Sequence, residues 1–402
     1  MSSSRAIALL CGVLLLSSGA TAFVPAETGS SAAALGGSST TAAVATPGYL
    51  PVTAERSGFA SADVSVTDSI AMSRATLEQR LTRTTLQQRL DSAANETERR
   101  RVISNATDVL EARTADLVAD ATDARQRFRS GSLSATNYST TLAEIDARAE
   151  SLVSLAQFIE GRPAAGAAAK TRAAKFRAQL LAYSDSLRDR VAAAINGESR
   201  LDRLFVEAGP NGTALAAVHD GSYVRSAARP TNYDTDPAAV PSGSAIISHV
   251  ESLYPWVMNQ STGVSFVPIP IQSSSAKYAY RLTLTYANGT VHSYVDMSSG
   301  EVYQETETLD LDGLVASPDA ATTSGDNRLT VSRTYAGGPL RVSVMEDGEP
   351  TSATIAIANE TLGTTGADGR LWTPSPSGSF TVRATTGDGT TLSVDTSSLA
   401  AT

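Results

Sequence analysis

The chain has 402 residues, a net charge of −9 and a single cysteine, Cys11. Beyond residue 11 there can therefore be no disulfide, no cysteine nucleophile and no thiolate metal site, so the folded parts must be held by their own cores. The acidic balance argues against nucleic acid as a partner, because phosphate binding needs a basic face. Lysine is scarce: only Lys170, Lys175 and Lys277 are not arginine among the 32 basic residues.

The chain opens with one positive charge, Arg5, an apolar run from Ala6 to Leu16 and small residues ending in Ala20-Thr21-Ala22. This is the layout of a secretory signal peptide over 1–22, with cleavage expected after Ala22. The run is shorter than the roughly 20 residues that span a bilayer, so no transmembrane span is expected in the mature chain. Leu392–Thr402 carries no apolar span or basic stop, so no C-terminal anchor is expected either. The expected location is secreted or at the extracellular cell surface. Residues 23–62, rich in Ser, Thr, Ala and Gly, read as a flexible leader.

Residues 63–198 read as an antiparallel helical bundle. Tyr138, Leu142, Ile145, Ala149, Leu152, Ala156 and Ile159 alternate at spacings of four and three, a strict helical seam with Ser134 as its N-cap. Ile103, Leu110, Leu117 and Ala124 recur every seven residues beside Ala121 and Phe128. Phe176, Leu180, Tyr183, Leu187, Val191 and Ala194 form a further stripe, and Leu77, Leu81, Leu86 and Leu90 mark a weaker first helix. Short connections at 129–133 and 161–165 make neighbours antiparallel. These stripes read as core, with a homo-oligomer seam through the helical region as the alternative.

Residues 199–312 read as a small α+β domain. Strands are expected at 201–207, 214–218 and 222–226, with Asp220-Gly221 as a hairpin turn. A short helix follows at 245–254, then an edge strand at 264–271, and then a hairpin turning at Asn288-Gly289 and continuing into 301–308. The stretch Tyr278–Gln304, with Asp296-Met297-Ser298-Ser299-Gly300-Glu301-Val302 at its last turn, resembles the C-terminal half of a PepSY domain. The resemblance implies a helix followed by a small antiparallel sheet, no catalytic residues, and a role in binding a peptide or partner. Asp296 and Gly300 would shape the turn.

Residues 313–327 read as a polar linker, and 328–402 as a β-sandwich of the Ig-like or transthyretin type. Strands are expected at 329–334, 340–345, 353–358, 380–384 and 391–394, separated by Asp347-Gly348, Asp368-Gly369, Ser377-Gly378 and Asp388-Gly389. The order of turns and strands from Glu346 to Arg383 resembles the carboxypeptidase-regulatory-like module, which implies a non-catalytic spacer or adhesion unit. Together the order of parts and the acidic, lysine-poor composition resemble haloarchaeal surface proteins. The fold class is thus multi-domain α+β.

Seven of the ten asparagines begin N-x-S/T: Asn95, Asn105, Asn137, Asn211, Asn259, Asn288 and Asn359. With the signal peptide they mark an N-glycoprotein whose acceptors must lie on the surface. The three histidines, His219, His249 and His292, are far apart in sequence and read as ordinary surface or core residues, metal ligation by convergence being the alternative. Asp310-x-Asp312-Gly313 reads as a turn rather than a calcium loop. Trp256 and Trp372 read as packed under loops, with sugar stacking as the alternative. No catalytic, cofactor or metal residue is expected. The expected function is non-catalytic: interaction, adhesion or envelope structure through an extracellular protein or peptide partner. The alternative is a regulator of a secreted peptidase acting through the PepSY-like region.

Overall fold

The computed structural model describes residues 47–396 apart from 49, 202, 270–275, 336 and 377. The signal peptide expected at 1–22 and the expected leader as far as residue 46 lie outside the described residues.

Strand β1 (Arg56–Ala60) precedes five helices: α1 (Val66–Ser92), α2 (Glu96–Ser130), α3 (Ala135–Glu160), α4 (Ala167–Leu180) and α5 (Ser186–Ile195). Ser65, Asn95, Ser134 and Asp185 cap α1, α2, α3 and α5 by accepting backbone N–H groups two or three residues on. Gly131 ends α2 in the left-handed region at φ 87°, where a Cβ would be strained. On α2 the buried positions are Ile103, Thr107, Leu110, Thr114, Leu117, Ala121, Ala124 and Phe128, a continuous four–three alternation. The two threonines fit this apolar seam because each hydroxyl donates to the carbonyl four residues back, at 2.9 and 2.8 Å. All seven seam residues expected on α3 are buried. Phe128 stacks on Tyr138 at 4.7 Å, locking the α2–α3 hairpin. The Phe176–Ala194 stripe is also buried, but it is broken by a 3-10 turn at Leu181–Tyr183, after which Asp185 caps α5.

After the bundle come β2 (Arg203–Ala208), β3 (Thr213–His219), β4 (Ser222–Ala228) and a two-residue strand β5 (Ala238–Ala239). Helices α6 (Gly243–Leu253) and α7 (Pro255–Gln260) lead into β6 (Ser261–Pro268). The short β7 (Ala276–Lys277) pairs with β5, and β8 (Ala279–Tyr286), β9 (Gly289–Asp296) and β10 (Val302–Asp310) follow. Eight of these strands form one antiparallel sheet in the order β1-β2-β3-β4-β10-β9-β8-β6. The hairpin turn Asp220-Gly221 has positive φ at both residues, 47° and 72°. Gly289 serves a different need: a Cβ there would meet the Thr308 carbonyl of β10 at 2.4 Å.

This sheet changes the expected domain plan. Residues 56–60, assigned by composition to the flexible leader, pair with 204–208 across the whole bundle. Leu50, in the same segment, is 1% exposed. The bundle is therefore an insertion between two neighbouring strands of the sheet. It covers one face: Leu204, Val206, Leu215, Ala217 and Val224 share a core with Phe128, Tyr138, Leu142, Leu187 and Val191. Tyr138 also hydrogen-bonds Thr213 at 2.6 Å. On the opposite face Leu282, Leu284, Val291 and Val295 pack with Ile246, Val250 and Val257 of α6 and α7.

The last nine strands form the sandwich. They are β11 (Ser317–Ser324), β12 (Asn327–Arg333), β13 (Pro339–Glu346), β14 (Glu349–Pro350), β15 (Ala353–Ile357), β16 (Glu360–Thr364), β17 (Arg370–Pro374), β18 (Thr381–Thr386) and β19 (Thr391–Asp395). One sheet runs β11-β12-β13, with β14 and β17 sharing the far edge of β13; the other runs β16-β15-β18-β19. Leu329, Val331, Leu340, Val342 and Val344 face Ile355, Ile357, Val382, Ala384 and Leu392. Residues 317–324, read as part of the linker, are instead the edge strand β11. That edge is polar and largely exposed, so it carries no apolar alternation by which to read it. Among the described residues no helix is long and apolar enough to cross a membrane.

The bundle core sets a clear expectation. Leu117 is fully buried on α2 whereas Leu77 is 63% exposed on α1. Leu117→Ala should lower unfolding stability by about 2–5 kcal/mol, and Leu77→Ala by less than about 0.5 kcal/mol, as read by urea denaturation.

Candidate functional site

The seven sequon asparagines are all exposed. Asn95 caps α2, Asn105 lies on its outer face, and Asn137 sits in the first turn of α3. Asn211 is in the β2–β3 turn and Asn288 in the β8–β9 turn, while Asn259 is near the end of α7. Asn359 turns β15 into β16 with φ 70°. The acceptors are thus spread over bundle, sheet and sandwich.

The histidines do not converge on a shared site. His219 contacts Asp220 at 2.9 Å, in the β3–β4 turn. His249 on α6 hydrogen-bonds the Gly300 carbonyl at 2.8 Å and so holds the helix on the β9–β10 turn. His292 hydrogen-bonds Thr283 across the β8–β9 pair, and partial burial with Arg281 nearby pushes its pKa down. The turn that His249 touches is shaped by the two residues expected to shape it. Asp296, fully buried, accepts from the N–H groups of Ser298 and Ser299, and Gly300 has φ 75°. Asp310 accepts from the Asp312 N–H in a local turn. Both tryptophans are partly buried against the core beneath α6 and α7, Trp256 edge-on to Tyr286.

Two buried polar clusters went unseen in the sequence. The first lies on β10. Glu305 and Glu307, each at most 1% exposed, point from the same side of this central strand. Glu305 accepts from the Tyr254 hydroxyl at 2.7 Å and from the Leu50 N–H at 3.3 Å, and lies 3.6 Å from Arg225 of β4. Arg225 also donates to the Leu50 carbonyl. Glu307 accepts from Tyr335 at 2.7 Å and Tyr286 at 3.3 Å, and its second oxygen has no hydrogen-bond partner among the described residues. Burial raises its pKa to about 7. The cluster joins the segment before β1, the α6–α7 corner, the sheet and the sandwich. Tyr223 adds a second tie to the sandwich, donating to Gly337 at 2.6 Å. The sequence places Glu305 and Glu307 in a strand without marking them as buried, because their partners are remote in sequence.

The second cluster is in the bundle. Carboxylate oxygens of Asp146, Glu150 and Asp189 lie within 4.8 Å of one another, the one group among the described residues with spacing suited to a metal ion. Asp146 is 1% exposed, and burial, reinforced by Asp189 and Asp185, raises its pKa to about 9. It therefore holds a proton at neutral pH, hydrogen-bonds Asp189 and accepts from the Asp185 N–H at 2.9 Å. Arg188, paired with Asp185 at 3.0 Å, offsets the remaining charge.

Three family profiles tile the chain. Residues 1–200 match a domain of unknown function (DUF7096), and 204–315 match a family of unknown function (DUF7094). Residues 319–393 match the archaeal fibronectin-III type-like domain. The last match falls on the sandwich and includes most of β11, so the module is similar to an archaeal fibronectin-III type-like domain. The matches fit an archaeal protein with a C-terminal β-sandwich. No curated protein and no solved structure matches the chain.

Both clusters tie stability to pH. Asp146 binds its proton more tightly folded than unfolded, so its contribution is complete below about pH 4 and is lost as pH rises toward 9. Asp146→Asn mimics the protonated form; it should melt close to the parent at pH 4 and above it at pH 8.5. Tyr335→Phe removes a donor to Glu307. In urea denaturation it should cost about 1–3 kcal/mol at pH 8.5, where the carboxylate is charged, and less at pH 5.5.

Proposed function

We propose that this chain is an exported, N-glycosylated, non-catalytic interaction protein of a haloarchaeal-type cell surface. One observation carries the reading: all seven sequon asparagines are exposed, across three structurally different parts of the chain. The C-terminal likeness to a fibronectin-III-type module supports it, since such sandwiches recur as spacers and adhesion units in surface proteins. The acidic, lysine-poor composition suits solubility in strong salt. The two buried charge clusters serve as ties within the fold.

A second reading, a regulator that binds a peptide or peptidase through the PepSY-like region, is favoured by β6. Among the described residues this strand pairs only with β8, and Val264 and Val267 are 46% and 45% exposed on it. An uncharged sheet edge of this kind can accept an extended peptide as an added strand.

Peptide mapping by mass spectrometry of the protein from its native host tests the first reading. The expected chain begins at Phe23 and carries glycan masses at several of the seven asparagines. A chain that retains Met1 with every asparagine unmodified would overturn it.

A further inference from the structure

Five of the largest exposed apolar side chains fall in one short stretch. Val64, Val66, Ile70, Leu77 and Leu81 are 69%, 73%, 63%, 63% and 68% exposed. The last four lie on α1, on the face turned away from the bundle, whereas Met72, Leu86 and Leu90 of the same helix are buried. At 100° per residue, Val66, Ile70, Leu77 and Leu81 fall within an arc of about 60°, so they make one straight stripe about 23 Å long. Monomers rarely leave such a stripe open to water.

The order of the stripe identifies its occupant. Its spacings, four, seven and four, read the same in both directions. A two-fold axis perpendicular to the helix and midway between Ser73 and Arg74 therefore maps the stripe onto itself. An interface between identical chains has to meet this condition, each residue i meeting j while j meets i. We infer that α1 pairs antiparallel with α1 of a second copy of this chain. Val66 of one copy then packs on Leu81 of the other, and Ile70 on Leu77. Ser73 falls at the crossing point, where a small side chain lets the two backbones approach. The same register sets Arg80 against Thr67 and Glu78 against Ser69, and it brings Arg74, next to the axis, beside Arg74 of the other copy, where each is neutralised by Glu78 of its own helix. The Arg74–Glu78 ion pair at 2.9 Å stays on the flank within each copy. Four residues per copy bury less than the 1,200–2,000 Å² of a standard interface, so the pairing is expected to be a reversible one.

Sedimentation velocity of the full chain over about 1–100 μM tests the pairing. The expected result is a monomer–dimer equilibrium that Leu77→Glu with Leu81→Glu shifts to monomer at every concentration, with an unchanged melting temperature because both sites face water. Geometry is read by oxidation in a Cys11→Ser background. Ser73→Cys should form an intermolecular disulfide across the axis, whereas Thr84→Cys, about 30 Å from its counterpart in the antiparallel pair, should not. A chain that stays monomeric throughout overturns the proposal and leaves the stripe to residues before 47 or to another protein. Cross-linking through Thr84→Cys overturns it in favour of parallel pairing, in which every residue of the stripe meets its own counterpart.

Discussion

Strand β10 is the element on which the rest of the molecule depends. It is bonded to β4 on one side and β9 on the other, and so joins the β1–β4 half of the sheet to the β6–β9 half. Its two buried glutamates impose a strict condition. A carboxylate taken out of water is costly unless charge and hydrogen bonds replace the water. The replacements come from the Leu50 backbone, Arg225, Tyr254, Tyr286 and Tyr335. Those groups arrive from five separate stretches of chain. Satisfying β10 therefore fixes the segment before β1, the α6–α7 corner and the sandwich loop in one arrangement.

The same logic explains why the bundle is an insertion rather than a separate domain. Its covering residues are aimed at β2, β3 and β4, and strand β1 arrives from before the bundle to close the sheet edge beside β2. Tyr138 shows the coupling within one side chain. Its ring stacks on Phe128 inside the bundle, and its hydroxyl reaches Thr213 in the sheet. The bundle and the sheet bury their apolar faces against each other.

What could be read in advance follows from period and locality. The α2 and α3 seams were legible because burial repeats every three and four residues over long runs. The turns at Asp220-Gly221 and Asp347-Gly348 were legible because both residues need positive φ. Strand β1 was not, since Arg56-Ser57-Gly58-Phe59-Ala60 has no pattern of its own and becomes a strand only because β2 and α3 are there. Strand β11 was hidden for the opposite reason: an exposed edge of small polar residues looks like a linker. The β10 cluster was illegible in principle, because Glu305 finds the Leu50 N–H 255 residues away. Asp146 was placed correctly within a helix, but its proton depends on Asp185 and Asp189 arriving from the neighbouring helix.

These constraints also bear on where function can reside. The buried charged groups described here are engaged in holding elements together, and the three histidines serve local turns or strand pairs. The features not absorbed by the fold lie on the outside: exposed sequon asparagines on every part, an uncharged sheet edge at β6 and an apolar stripe on α1. They occupy different elements, and each suits contact rather than chemistry. Under the proposed glycosylation a glycan shields the surface around it, so where the sequons sit would restrict where a partner can land. Asn105 and Asn137 lie on α2 and α3, not on α1. The stripe from Val66 to Leu81 has no acceptor within it, and the nearest in sequence, Asn95, lies beyond the end of that helix. An apolar surface left bare on an otherwise acceptor-rich chain is where an encounter with another protein surface meets the least obstruction.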